Sequence, residues 1–520
     1  MSPLEAKPGR RAVKEVAAAT RSAFRRSRYN VYFWWEHTDR CFVVNTLHGT
    51  GAVVPSSIVS CLLRARELRE GDLDSERLRE LADHGFVYDE DHDELAFLRS
   101  LVQSRLGMTT DLGLTIMPTA RCNFDCPYCY EGVKPRYPSS DMTKRVAQAV
   151  VRFAADRLPR AAGIRVTWYG GEPLLGLNWI RSISSELLAM CRKFKRGYSA
   201  AVVTNGYLLL PRVARELSHE LGVGSVQVTI DGPPHIHNRR RVLKGRSRSE
   251  TYDVVARNAA EAAKHIHEVK VRINVSPDNA SLDNIAAVVN DLKTRAGKSA
   301  PNIHFHLGYV RATSPCDILT DQLPISDHAK LMLALEGLAT SQLASLDLST
   351  VTKRLRARFS RTQICGSVLS PMAFVIDPRG RLFKCWEDVL APQKSFGNLG
   401  DPLALSNPNL SNWLGLDLFG YRPCVECSVF PTCLRGCPRH FKANQNARIR
   451  RHQQCSKNVA ERELSLLAWV AFKQHFGTGP KSLMVLREGS DRGKSTSMRV
   501  ELARALQVGS EVRWCEESET

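Results

Sequence analysis

Between residues 29 and 55 apolar and polar positions alternate in three short runs, YNVYFWWEH, CFVVNTL and GAVVP, broken by the turn-like TDR and HGTG. Alternation with period two predicts a small antiparallel sheet. Helical patterns follow near 56–69 and 75–84, so residues 29–99 read as one β-then-α module. From residue 112 the pattern changes. Apolar runs at 112–118, 164–170, 199–204, 225–231, 269–275 and 303–309 alternate with amphipathic stretches near 141–158, 178–195, 211–220, 252–266 and 281–296. Such alternation predicts parallel strands joined by crossover helices, in a doubly wound sheet or an open barrel. Polar residues and glycines recur at the C-terminal ends of these strands, where parallel α/β folds place their sites. A helical connection is expected near 326–360, then a cysteine-dense stretch at 365–455, then a polar tail with one helix near 497–507. Residues 1–28, basic and without apolar periodicity, read as a flexible arm.

Composition adds limits to this outline. A chain of 520 residues, 43% hydrophobic and 24% charged, is too apolar for wholesale disorder and long enough for several domains. It has neither an apolar run of membrane-spanning length nor a signal-peptide core at its basic start, which points to the cytoplasm. The formal charge of +20 predicts a surface that attracts polyanions or acidic peptides, which is a statement about partners and not about chemistry. In the tail, GSDRGKST has three residues between Gly489 and Gly493 where a phosphate loop needs four. The 15 cysteines carry more information: without a signal peptide they argue for metal ligation over disulfides.

Their spacing supplies the chemistry. RCNFDCPYCYEG places Cys122, Cys126 and Cys129 in a C-x3-C-x2-C loop directly after the first strand of the α/β region. Three thiolates can hold three corners of a cubane and leave one iron open, whereas structural zinc takes four protein ligands, and no Cys or His follows close behind. With Tyr128 before the third cysteine, this loop resembles the radical SAM superfamily. The resemblance implies that the open iron chelates S-adenosylmethionine, whose reductive cleavage yields a hydrogen-abstracting 5′-deoxyadenosyl radical. YGGEP at 169–173 is similar to the family's GGE motif, which implies a cofactor contact from Glu172 and close backbone approach at Gly170 and Gly171. TNG at 204–206 and VTIDG at 228–232 imply further contacts from Asn205 and Thr229; Arg272 and the basic run Arg239 to Arg248 are additional candidates.

The second set reads Cys365-x14-Gly380-x4-Cys385, Cys424-x2-Cys427-x5-Cys433-x3-Cys437 and x17-Cys455. It resembles the SPASM extension of radical SAM enzymes that act on peptides and proteins, in preference to a zinc ribbon. The resemblance implies that Cys424, Cys427, Cys433 and Cys455 hold an outer auxiliary cluster and Cys365, Cys385 and Cys437 an inner one, with one or two auxiliary iron–sulfur clusters in all beside the [4Fe-4S] cluster. It implies an α/β fold: a partial (β/α)6 TIM-like barrel at 108–325, with a small N-terminal β+α, winged-helix-like recognition module at 29–99. A linker helix and SPASM domain would follow at 326–470, and the polar tail at 471–520.

The expected activity is hydrogen abstraction from a residue of a ribosomally made peptide precursor, giving a thioether, C–C or C–O crosslink, or an epimer. The implied partners are that precursor, with a leader peptide that adds to a sheet edge, and a reductase, flavodoxin or ferredoxin as electron donor, with no membrane and with nucleic acid disfavoured. Anaerobic sulfatase maturases, which form formylglycine, are similar in both cysteine sets. They carry an Asp after the second auxiliary cysteine, where this chain has Trp386 followed by Glu387. A non-catalytic iron–sulfur or zinc scaffold that binds nucleic acid is the alternative outside enzymes. Cys316, after the sixth strand, is the candidate hydrogen donor for epimerisation; Cys41, Cys61, Cys191 and Cys515 read as isolated thiols.

Overall fold

A computed structural model describes residues 23–129, 141–309, 365, 370–434, 437–438, 464, 468, 471, 475–476, 482–488 and 495–501, apart from 36–37, 65–66, 70, 108–109, 248, 277, 390 and 403–405. The expected helical connection at 326–360, and Cys316, Cys455 and Cys515, lie outside the described residues.

The chain opens with strands β1 (Phe24–Arg26), β2 (Asn30–Trp34), β3 (Arg40–Asn45) and β4 (Thr50–Pro55), then α1 (Ser56–Arg64), β5 (Glu67–Leu68), α2 (Ser75–Asp83), β6 (Val87–Asp89) and α3 (Glu94–Gly107). Strands β2, β3 and β4 form an antiparallel meander, and β5, β1 and β6 a second small sheet. Tyr32 and Val43 from the meander meet Val59, Leu62, Leu78 and Phe86 in one apolar core. Strand β1 lies inside the stretch read as an arm, where Phe24 faces both Leu68 and Asp89.

The α/β region follows as β7 (Leu112–Ile116), α4 (Lys144–Arg157), β8 (Gly163–Trp168), α5 (Leu177–Lys193), β9 (Gly197–Thr204), α6 (Pro211–His219), β10 (Val223–Thr229), α7 (Pro234–Arg240), α8 (Tyr252–Ala262), β11 (Glu268–Val275), α9 (Leu282–Ala296) and β12 (Ile303–Tyr309). All six strands are parallel and lie side by side in chain order. A doubly wound sheet reverses its order at a switch point, so the monotonic order selects the open-barrel alternative. Along β11 burial alternates: Val269, Val271, Ile273 and Val275 point into the helix-covered core, leaving Lys270, Arg272 and Asn274 on the other face. Thr143 and Ser281 cap α4 and α9 by accepting from the amides of Val146 and Asn284.

Two further strands, β13 (Ala373–Ile376) and β14 (Leu382–Phe383), extend this sheet beyond β7. β13 runs parallel to β7 and β14 antiparallel to β13, so the cysteine-rich extension is joined to the first strand of the core. Short helices α10 (Pro408–Leu414), α11 (Arg422–Val425) and α12 (Phe430–Cys433) follow.

The tail departs from expectation. Residues predicted as a helix near 497–507 begin instead as a strand, β16 (Ser495–Glu501), paired antiparallel with β15 (Ser482–Glu488), which in turn pairs with β2. The alternating pattern of SLMVLRE and STSMRVE suits a strand, and the backbone finds its partners in the N-terminal meander more than 400 residues away in sequence. Of the GSDRGKST stretch, residues 489–494 lie outside the described residues. Among the described residues no helix is long and apolar enough to cross a membrane.

Candidate active site at the strand ends

The loop after β7 carries Cys122, Cys126 and Cys129, all half-buried. Its backbone is pinned from two sides. On one, the Asp125 amide donates to Val242 O (2.9 Å) and the Lys244 amide to Asn123 O (2.8 Å), so the basic run pairs with the cysteine loop. On the other, the Glu172 amide donates to Arg121 O (2.8 Å) and the Gly171 amide to Thr119 O (3.3 Å). This contact explains the double glycine: a Cβ at Gly171 would lie 2.3 Å from Arg121 O, and one at Gly170, where φ is +133°, 2.6 Å from Thr119 O. The expected close approach at these glycines is therefore made by the cysteine loop itself.

Glu172 is fully buried, yet three donors surround it. Oε1 accepts from the Leu174 amide (3.0 Å) and Thr204 Oγ1 (2.7 Å), and Oε2 from the Asn205 amide (2.7 Å). Burial raises its carboxyl above the ordinary value, opposed by those hydrogen bonds. A carboxylate has about four acceptor positions, so one remains for a cationic amine. Asn205 continues the network: its amide nitrogen donates to Asn123 Oδ1 (2.7 Å) and lies 3.9 Å from Cys122 Sγ. Thr229, nearly buried, ends β10 on the face opposite Val226 and Val228.

Behind the loop sits a second network. Tyr128 donates its hydroxyl hydrogen to Asp231 Oδ2 and accepts from Arg241 (2.7 Å) and Asn274 Nδ2 (3.4 Å). Arg240 approaches Asp231 at 3.5 Å and stands over the Tyr128 ring, 5.0 Å from its centroid. Asp231 is fully buried and Arg241 nearly so. Tyr128 was expected from its place beside the third cysteine and Arg241 only as one of the basic run Arg239 to Arg248; Asp231 and Asn274 were not assigned roles. Their signal in the sequence was a charged or amide residue at the end of a parallel strand, or within the basic run. Burial pushes the Cys122 thiol up to about 12 and that of Cys126 to about 11, so without metal both are neutral and iron must displace their protons. Among the described residues no three His, Cys, Asp or Glu side chains converge to hold one metal ion. Thiolates that each take a different iron of a cluster have no need to.

The second cysteine set divides in two. Cys385 follows β14 and reaches the first site: the Tyr169 phenol lies within electrostatic range of Cys129, Cys385, Glu387 and Arg272, and burial pushes it up. The exposed Trp386 stacks on Tyr169 at 5.1 Å and 22°. Cys365 lies within range of the buried Lys384 ammonium, which donates to Ser370 O and to Ala373 O (2.6 Å) and is lowered by burial to about 8. Cys424 and Cys427 form a turn, the Cys427 amide donating to Cys424 O (3.0 Å), and pack with Tyr29, Leu98, Val425 and Phe430. Cys433 ends α12, and Cys437 lies beyond it, half-buried. Cys41 and Cys191 are buried small side chains, while Cys61 is half-buried.

The radical SAM superfamily matches residues 116–288, which run from the last residue of β7 through the cysteine loop and the next four parallel strands. The Fe-coproporphyrin III synthase of Methanosarcina barkeri is 27% identical over 161 residues, 31% of this chain and 36% of its own length. A serine-type anaerobic sulfatase-maturating enzyme of Klebsiella aerogenes is 24% identical over 353 residues, 63% of this chain and 80% of its own length. The solved structure of native anSMEcpe with bound AdoMet shares the fold at a TM-score of 0.51, with 19% identity, covering 69% of this chain and all of that one. A loop of three cysteines, the GGE and TNG motifs beside it, and this match converge on one statement: residues 116–288, a third of the chain, match the radical SAM superfamily.

Proposed function

We propose that this chain modifies a gene-encoded polypeptide by hydrogen abstraction at the mouth of the parallel-strand barrel. Radical SAM domains bind a [4Fe-4S] cluster and S-adenosylmethionine, and the residues present suit both. Three thiols are available, an acceptor position is left on the buried Glu172, and Asp231 Oδ1 and Arg241 Nε are buried without a hydrogen-bond partner among the described residues. When bound, these groups supply a 5′-deoxyadenosyl radical able to take a hydrogen atom from an unactivated carbon. Cys122, Cys126 and Cys129 hold the cluster, Glu172 orients the cofactor's amino group, Asn205 supports Cys122, and Thr229 is a ribose contact.

The observation that carries a polypeptide substrate is the way the extension closes on this site. Met117 and Ala120 from the cysteine-loop segment share an apolar cluster with Tyr169 and with Val375, Phe383 and Val389 of the extension. Cys385 is thereby brought within range of the same tyrosine as Cys129. Cys365, Cys385 and Cys437 would hold an inner auxiliary cluster and Cys424, Cys427, Cys433 and Cys455 an outer one, groups that would take up an electron from the product radical or bind the substrate. Electrons enter from a reductase, flavodoxin or ferredoxin. Residues 29–99 act as the recognition module. Their meander ends at β4, since β15 covers the β2 edge, so an extended leader peptide would add beside Thr50–Pro55.

Sulfatase maturation is the second reading, favoured by the similarity to the Klebsiella enzyme over 80% of that enzyme's length. Trp386 stands against it, because a stacked indole occupies the position of the expected base, with Glu387 alongside. Co-expression with short peptides encoded beside the gene decides between the two. Loss of two hydrogens from such a peptide supports crosslinking, and deuterium uptake from D2O supports epimerisation. Reaction with a sulfatase peptide alone overturns the first reading.

A further inference from the structure

Resting on the reading of Cys122, Cys126 and Cys129 as cluster ligands, we propose that Arg241 is a positioning residue that sets the reduction potential of that cluster. Its guanidinium donates to Tyr128 Oη at 2.7 Å and stands 5.5 Å from the centroid of the Phe124 ring. Phe124 and Tyr128 each lie two positions from Cys126, so the cation lies across the back of the turn that Cys126 occupies. The next residue fixes it there, because Val242 O accepts from the Asp125 amide, the amide just before Cys126.

The charge is held away from water and is shared out unequally. Arg241 is 7% exposed, and its Nε has no partner among the described residues. The fully buried carboxylate of Asp231, the nearest counter-charge, already serves Arg240 at 3.5 Å and the Tyr128 hydroxyl. Arg240 divides itself further, reaching Asp278 at 3.1 Å, while Arg241 has no carboxylate within ion-pair distance among the described residues. A buried, incompletely compensated cation beside a thiolate ligand interacts more strongly with the reduced cluster, which carries one more negative charge. Arg241 therefore raises the midpoint potential and brings reduction within reach of a cellular donor. The Cys122 side of the loop has the neutral counterpart, with the Phe124 amide donating to Cys122 Sγ at 3.4 Å.

The test is an EPR-monitored redox titration of the anaerobically reconstituted full chain, following the signal that Cys126→Ala lacks. Arg241→Gln is expected to take up iron and to show a lower midpoint than the parent. Arg241→Lys, which keeps the charge, and Tyr128→Phe, which removes the hydroxyl but keeps the cation, are expected to stay near it. An unchanged midpoint in loaded Arg241→Gln overturns the proposal, as does a fall of equal size in Arg241→Lys. Should Arg241→Gln fail to hold iron, Arg241→Lys decides: a parental midpoint supports the charge role and a lowered one contradicts it. A parent chain that binds no iron at all sinks the cluster assignment instead, so the two failures are distinguishable.

Discussion

The loop carrying Cys122, Cys126 and Cys129 is fixed by polar groups from four strand ends, the side chains of Asn205, Asp231 and Asn274 and the backbone amide of Glu172. The turn carrying Cys424 and Cys427 is fixed by apolar ones from the other end of the chain, Tyr29, Leu98 and Val102 among them, with Thr46 donating its hydroxyl to Ser428 O. A polar cradle of fixed dipoles and charges suits a site that binds a charged cofactor and is reduced there, because it contributes electrostatics as well as position. An apolar cradle supplies position and shields from water. The difference fits the proposed division, with the radical chemistry at the first region and a supporting cluster at the second, where the N-terminal module and the extension share one core.

Damage to one cradle should therefore spare the other. The largest effect is expected from Leu98→Ala, which opens a cavity beside Cys424 and Cys427 and should cost about 2–5 kcal/mol. Urea unfolding should show that loss, and iron analysis a deficit confined to the extension. Gly171→Ala is next. Its Cβ would meet Arg121 O at 2.3 Å, so displacement of the cysteine loop should cost about 1–3 kcal/mol. Cluster uptake at Cys122, Cys126 and Cys129 should fall while the extension still loads. If either variant strips both regions equally, the two cradles are one unit.

The sequence showed the first region far better than the second. Six strands, their order along the chain and the residues at their ends were readable because a parallel α/β unit is local: each strand and the helix that covers it are neighbours in sequence. Glu172 and Asn205 announced themselves through short motifs at those ends. Asp231 did not, and Arg241 stood out no more than its neighbours in the basic run, because a buried charge looks like any surface charge until the groups around it from other strands are known. The second region depends on contacts spanning hundreds of residues. No local pattern links Tyr29 with Val425, or β2 with β15, and the tail was read as a helix for want of the strand that pairs with it.

The smallest expected effect lies on the open face of the barrel. Burial, with Arg272 and Lys270 nearby, lowers the His306 imidazole to about 4. The unfolded chain then binds a proton between its ordinary value of 6.5 and about 4 that the folded chain does not, so stability is lost as pH falls through that window. His306→Gln should flatten this slope in denaturation curves collected across it without altering iron content in either region.

The central claim is that the thiols of the first loop carry the radical chemistry while those of the extension support it. Formation of 5′-deoxyadenosine by anaerobically reconstituted, dithionite-reduced chain tests it most directly, with Cys126→Ala compared against the parent at known iron content. The parent should produce deoxyadenosine, and Cys126→Ala should produce none while keeping the iron of the extension. Deoxyadenosine production by Cys126→Ala, or zinc in place of iron in the parent, would contradict the account.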